Sequence, residues 1–330
     1  MNLSITTVLL YGERMSRVMI IDGTNNFYRA FIVDPTLSTN GKPIGGVTGF
    51  LKILQKLTRE IKPDHVIICW DGAGGSQRRR SMNKNYKEGR KAVRLNRNDS
   101  MLTMEEEMEN KILQQLRLSE YLNQLPVVQI VSENVEADDV IAIACQEYKG
   151  WEKVIVSSDK DFFQLLDDET ILHRPIQKKL YHKNKIVEEF GIHPRNFALA
   201  RAMAGDPSDN LAGIPGAGLK TIAKRFPYLA EEKDYTVKDL VKTAKEAEKP
   251  LKIYENVIDS DKLILANYKI MQLYNPGVSV KTRSFIRNVI EDYPKIFAKT
   301  NVKKMMIEDG FPTLRMDDLF AACNRIAANA

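Results

Sequence analysis

Acidic residues stand just past apolar, strand-length segments over nearly two hundred residues of this chain. Asp22 closes VMIID, Asp71 follows VIICW, and Glu136, Asp138 and Asp139 open VEADDVIAIA. Asp159 and Asp161 follow VIVSS, and Asp206 and Asp209 lie in AGDPSDN. A carboxylate just beyond a buried strand lies at the carboxyl edge of a sheet, where open α/β folds bind ligands. Nine such groups converging on one edge repel each other unless a cation compensates them, and a pair of divalent metals on oxygen ligands does so most simply. Taken singly, each motif reads equally well as a helix cap or as first-turn acids favoured by the helix dipole. Joint placement at strand ends is what separates metal chemistry from capping. His65, His173, His182 and His193 show no ligand spacing, so the donor set is all carboxylate and selects Mg²⁺ or Mn²⁺.

The fold class follows from the alternation of segments. Apolar runs of strand length occur at 18–21, 66–70, 127–131 and 154–157, with a further strand pair at 170–174 and 179–181. Helical periodicity fills 47–61, 105–125 and 137–148. Strands alternating with helices predict an α/β chain with a mostly parallel central sheet flanked by helices. From about Lys183 onward the pattern is helical throughout.

The net charge is +6 despite the acidic motifs, so positive charge is concentrated elsewhere. Residues 74–97 hold Arg78, Arg79, Arg80, Lys84, Lys87, Arg90, Lys91, Arg94 and Arg97 against Glu88 alone, a local charge of +8 with almost no apolar periodicity. This density beside a carboxylate site suits a phosphate clamp, in which Tyr86 is placed to stack on a base. A second signal is Gly213-Ile-Pro-Gly216-Ala-Gly218-Leu-Lys220-Thr221, between helical patterns at 197–204 and 220–226. Its glycines make a tight turn that exposes backbone N–H groups beside Lys220 and Thr221, which suits a phosphodiester backbone held without base reading. No G-x-x-x-x-G-K-[ST] occurs, which points to phosphate in a polymer rather than a bound nucleotide. Lys281, Arg283, Arg287, Lys303 and Lys304 are further candidates for DNA or partner contact, or a solvated helical face.

Cys69, Cys145 and Cys323 are far apart and unpaired in spacing, so neither a zinc site nor a disulfide framework is expected, and a reducing cytoplasm fits. No apolar run approaches the ~20 residues of a membrane span. Residues 1–14 lack the basic region and cleavage site of a signal peptide and read as an extension before the first strand.

The order IIDGTN, WDG, RRxxxxxYK, EADD, SSDKDF, GDPSDN and GIPGAGLKT resembles the flap endonuclease and 5′-nuclease superfamily, over residues 18–226. Within it, the spacing of Arg79 and Arg80 to Tyr86 and Lys87, with the long helical C-terminal part, is most similar to the ribonuclease H branch of T-even phages. The resemblance implies a PIN-like α/β catalytic domain over 15–182 with a basic helical arch at 74–104. It implies a helical DNA-binding domain over 183–330, with a helix–hairpin–helix at 197–226. Two metal positions are implied, the first at Asp22, Asp71, Glu136, Asp138 and Asp139, the second at Asp161, Asp206 and Asp209, with Asp159 between them. Arg79 or Arg80 and Lys87 are implied to grip the scissile phosphate, within a DNA-binding set of Arg78, Arg79, Arg80, Lys84, Tyr86, Lys87 and Arg90. Gly213, Gly216, Gly218, Lys220 and Thr221 are implied to hold duplex backbone, with K⁺ among the turn carbonyls. The implied activity is metal-dependent 5′-3′ exonuclease, flap endonuclease and RNase H cleavage that removes 5′ flaps and RNA primers during replication. Its substrates are branched or nicked duplex DNA and RNA–DNA hybrids. The implied partners are a replication clamp and a single-stranded-DNA-binding protein, with the chain acting as a monomer in the cytoplasm of the host. Two rivals are a catalytically silent DNA-structure-binding protein on the same fold and a PIN-type ribonuclease acting on single-stranded RNA.

Overall fold

The computed structural model describes residues 15–89, 102–175, 177–294, 296–312 and 315–329, so the extension at 1–14 and Arg90 lie outside the described residues. In chain order come β1 (Arg17–Asp22), α1 (Gly23–Val33), α2 (Gly45–Ile61), β2 (His65–Trp70), α3 (Gln77–Met82), α4 (Met104–Leu122), β3 (Val128–Val131), α5 (Ala137–Glu147) and β4 (Glu152–Val156). A 3₁₀ turn at Asp161–Leu165 leads to β5 (Thr170–Arg174) and β6 (Lys179–Tyr181). Helices follow: α6 (Lys183–Phe190), α7 (Pro194–Ala204), α8 (Leu219–Arg225), α9 (Val237–Glu246), α10 (Lys252–Asp259), α11 (Asp261–Met271), α12 (Val280–Glu291), α13 (Lys299–Glu308) and α14 (Asp317–Asn329).

The six strands form one sheet in the order β3-β2-β1-β4-β5-β6. Every pair is parallel except β5–β6. The central strands are covered on both faces, so VMII, VIIC and VIV run continuously apolar and are fully buried. The register sets the site: Asp22 pairs across to Cys69 of β2, and Ile21 to Val156 of β4. The chain therefore leaves β1, β2 and β4 side by side at Asp22, Asp71 and Ser157. The predicted β5 and β6 match the observed strands, and the other predicted strands shift by up to two residues.

Helix α1 was not predicted. Its first turn carries no acid; instead Asp22 itself caps it, accepting from the N–H of Asn25. Helix α4 opens with the reciprocal cap between Thr103 and Glu106.

The expected unit over 183–330 does not close on itself. Helix α12 packs on α5 and β3, and α14 packs on α2. The Val66 N–H donates to the Tyr293 hydroxyl (2.8 Å), which donates in turn to the Pro126 carbonyl (2.7 Å). Asp309 accepts from Arg117 and Tyr121 of α4, and Arg59 of α2 pairs with Asp318. The cause is apolar: Ile286, Leu319, Phe320, Cys323 and Ile326 are buried, removing hydrophobic surface from water where the last helices return. Arg283 and Arg287 accordingly bond Gln146 and Glu147 of α5, so they are engaged within the protein. Among the described residues no helix is long and apolar enough to cross a membrane.

Candidate active site

Seven of the nine acidic residues, Asp22, Asp71, Glu136, Asp138, Asp159, Asp161 and Asp209, line one cavity of about 860 Å³ at the carboxyl edge of the sheet. Asp22 is buried, and its oxygens accept from Asn25 N–H (3.0 Å) and the Ser157 hydroxyl (2.8 Å). Burial pushes its carboxyl up to about 7, with Asp71 and Asp159 adding to the rise against those two hydrogen bonds. Burial, Asp159 and Asp22 likewise push Asp138 well above the usual range. Asp161 rises to about 7 through burial and Asp159, against the pull of Arg201. Asp71 accepts from the N–H of Ala137 at the start of α5 (2.8 Å), and Asp159 accepts from the N–H of Asp161 (2.8 Å). Among the described residues no three His, Cys, Asp or Glu side chains are drawn to within coordination distance of one point. What marks this set out is charge and placement: hard oxygen donors held close enough that Asp159 adds to the raised pKa of Asp22, Asp138 and Asp161, a repulsion that a divalent cation relieves.

Glu136, Asp139 and Asp206 are each paired with a protein cation. Asp139 receives a two-pronged bond from Arg79 (2.9 and 3.0 Å) and does not line the cavity. Glu136 accepts from Arg79, Ser76 (2.7 Å), Lys87 (2.7 Å) and Tyr86 (3.3 Å). Burial alone would raise its carboxyl, but Arg79 and Lys87 outweigh that and hold it at about 2. Asp206 accepts from Arg201 and from the backbone and hydroxyl of Ser208, and it too lies off the cavity lining. Glu136, Asp139 and Asp206, expected as metal ligands, are engaged with protein cations here.

Arg79 and Tyr86 differ from expectation for the same reason. Each is 3% exposed. The Arg79 Nε also donates to the Ile270 carbonyl of α11 (3.0 Å), so this guanidinium is a buried counter-ion within the fold, not an open phosphate grip. Tyr86 has its ring in the core, where it cannot stack on a base. Arg80 and Lys84 are exposed, and Arg78 is half-buried near Asp139 (3.7 Å). Lys87 adopts a left-handed backbone (φ 55°), and its N–H donates to the Asp209 carbonyl (3.1 Å). That bond ties the arch base to the AGDPSDN loop.

Three features of the cavity were not foreseen. Tyr28 of α1 is 43% exposed on its wall, with the Lys111 ammonium 4.9 Å from the ring centroid. Met104, Met108, Lys111 and Gln115 of α4 line the wall at helical spacing. Ile270, Met271 and Leu273 close it from the far end of the chain. Tyr28 lies six residues past Asp22, in a helix that periodicity did not reveal.

The glycine turn joins α7 to α8, as expected. A Cβ on Gly213 would lie 2.0 Å from the Ala204 carbonyl oxygen, so only glycine permits this backbone approach. Gly216 has φ 80°, while Gly216 and Gly218 face open space. Lys220 is exposed and Thr221 half-buried, and the Pro215 carbonyl already accepts from Asn256 (2.9 Å).

The 5′-3′ exonuclease N-terminal resolvase-like domain family matches residues 17–191, more than half of the chain. The chain belongs to the 5′-3′ exonuclease family. It is 30% identical over 210 residues to a 5′-3′ exonuclease of Aquifex aeolicus, covering 63% of this chain and 68% of that one. It is 31% identical over 215 residues to DNA polymerase I of Bacillus subtilis, 63% of this chain but 23% of the polymerase. In fold it is similar to the bacteriophage T5 5′-exonuclease carrying divalent zinc, with a TM-score of 0.62 at 20% identity over 93% of this chain and 99% of that one. As a member of this family the chain is a nuclease of the 5′-3′ exonuclease type, which hydrolyses phosphodiester bonds. Its mostly parallel six-stranded sheet flanked by helices is the fold of those relatives.

Proposed function

We propose that the chain removes 5′ flaps and RNA primers from branched or nicked duplex DNA and RNA–DNA hybrids, using two Mg²⁺ or Mn²⁺ ions. The observation that carries this is one cavity lined by seven of the nine acids, with Lys87 also on its wall. Asp22, Asp71 and Asp138 belong to the donor set of one ion, and Asp161, Asp206 and Asp209 to that of the other, with Asp159 between them. Divalent ions held there lower the pKa of water and neutralise charge on the phosphodiester oxygens.

The protein's own groups do the positioning. Lys87, 2.7 Å from Glu136 on the cavity wall, is an ammonium able to turn from a carboxylate to a phosphate. Arg80 and Lys84 are exposed and add backbone attraction. Tyr28 presents a ring on which a terminal base can stack. The turn at Gly213, Gly216 and Gly218, with Lys220 and Thr221, grips the duplex backbone, with K⁺ among its carbonyls. A replication clamp and a single-stranded-DNA-binding protein are the partners that primer removal calls for, and the chain works as a monomer.

The test is a 5′-labelled flap duplex with Mg²⁺, cut by the wild type and by Asp138→Asn. Short 5′ products from the wild type and intact, bound substrate with the variant support the reading. Equal cleavage by both overturns it. Matched RNA-primed and all-DNA strands decide the preferred substrate.

A further inference from the structure

Arg201 lies on α7, five residues before Asp206, and its guanidinium spans two acids of the second cluster. Nε donates to Asp161 Oδ1 (3.2 Å), and a terminal nitrogen bonds Asp206 Oδ2. The other terminal nitrogen reaches the Gly205 carbonyl (3.5 Å). The remaining Asp206 oxygen accepts from the Ser208 N–H and hydroxyl (2.8 and 2.6 Å). The first cluster is different: among the described residues no Lys or Arg is ion-paired to Asp22, Asp71, Asp138 or Asp159.

We propose that Arg201 is a resident cation of the second metal position, one that holds Asp161 and Asp206 as a closed pair and must be displaced before a second divalent ion loads. A guanidinium and a metal ion cannot both take the same carboxylate oxygens, and a two-carboxylate grip suits the planar fork of arginine better than a lysine ammonium. Arg201 is thus a positioning residue. It makes the two ions bind in order, the first to the uncompensated acids and the second at the cost of two charge-assisted hydrogen bonds. The proposal rests on the two-ion reading above.

Mn²⁺ binding followed by calorimetry and by electron paramagnetic resonance, on the full chain without DNA, tests it through stoichiometry and affinity rather than cleavage. The wild type takes one ion tightly and a second weakly. Arg201→Met, which keeps an unbranched apolar stem and loses the charge, tightens the second affinity by about tenfold or more, the scale of one hydrogen bond to a charged group, and leaves the first within about twofold. Arg201→Lys shifts the second affinity the same way by a smaller factor, and it decides the matter if the methionine variant does not fold. Two ions with an unshifted or weakened second affinity overturn the proposal alone, leaving Arg201 a staple between α7 and the 3₁₀ turn. One ion in every protein overturns it together with the two-ion reading.

Discussion

Arg79→Met separates two roles for one guanidinium. If Arg79 gripped the scissile phosphate, its loss would spare the fold and cost cleavage. The structure instead surrounds it with Glu136, Asp139 and the Ile270 carbonyl at 3% exposure. Removing one partner of a buried ion pair costs roughly 3–5 kcal/mol, because the other charge is left uncompensated. The same order of size appears at Glu136: holding it at about 2 rather than 4.5 is worth about 3 kcal/mol, a contribution Arg79 shares with Lys87 and Ser76. At roughly 2 °C per kcal/mol for a chain of this size, the melting temperature falls by about 6–10 °C. The pH dependence has a definite sign. A carboxylate with a depressed folded pKa stabilises above its unfolded value and loses that as pH falls through the folded one. The wild type therefore loses this contribution between about 4.5 and about 2, while the variant has only the part that Lys87 and Ser76 supply to lose. The gap between the two proteins is widest near neutral pH and narrows below about 4.5. Thermal melts in EDTA from pH 7 to pH 3, with Arg80→Met as an exposed control changing by less than about 0.5 kcal/mol, measure it. A variant as stable as wild type but unable to cleave would refute the buried counter-ion assignment.

Asp138→Asn is expected to abolish cleavage while sparing duplex affinity, read by gel shift beside the labelled flap assay. Asp139→Asn is expected to act mainly on stability, lowering the melting temperature more than Asp138→Asn does, because Asp139 faces Arg79 and not the cavity. Asp22, raised to about 7, disfavours the metal-free fold as pH rises through that value. Mg²⁺ must displace its proton below it, so Mg²⁺-induced stabilisation should weaken progressively below about pH 7 in melts with and without the ion. Gly213→Ala drives a Cβ to 2.0 Å from the Ala204 carbonyl oxygen and should destabilise by more than the ~1 kcal/mol expected at Gly216, where only the positive φ resists. Urea titration ranks the two. Tyr28→Ala should weaken binding of a flap with an unpaired 5′ base by the ~1–3 kcal/mol of one stacking contact, with little change on blunt duplex, as fluorescence anisotropy can report.

The sheet was legible because its strands are buried on both faces and read as continuous apolar runs. The acids were legible as a group because each follows such a run. What the sequence did not disclose is which acids are open. Asp138 and Asp139 are neighbours, yet one lines the cavity and the other meets Arg79, a choice made by the rotation of α5 against α3. Arg79 and Arg80 are likewise adjacent, and the turn of α3 buries one and exposes the other. Arg201 carried a usable signal, a lone basic residue one helical stretch before two acids, but its partner Asp161 is forty residues away. The return of α12 and α14 to the sheet was hidden because their apolar faces look the same whichever partner covers them.

Those pairings change what the charge balance means. A local charge of +8 beside nine carboxylates suggested two opposed surfaces, one for phosphate and one for metal. In the folded chain part of each is spent on the other. Arg79 and Lys87 neutralise Glu136 and Asp139, and Arg201 neutralises Asp161 and Asp206. The acids without an arginine or lysine ion pair among the described residues, Asp22, Asp71, Asp138 and Asp159, are gathered at the ends of β1, β2 and β4 and the start of α5. Like charges at that spacing repel unless protons or a divalent ion compensate them. The internal pairs serve the same site differently. They fix α3 to α5 and α7 to the 3₁₀ turn, so that the open carboxylates are held by elements which cannot drift apart under their own repulsion.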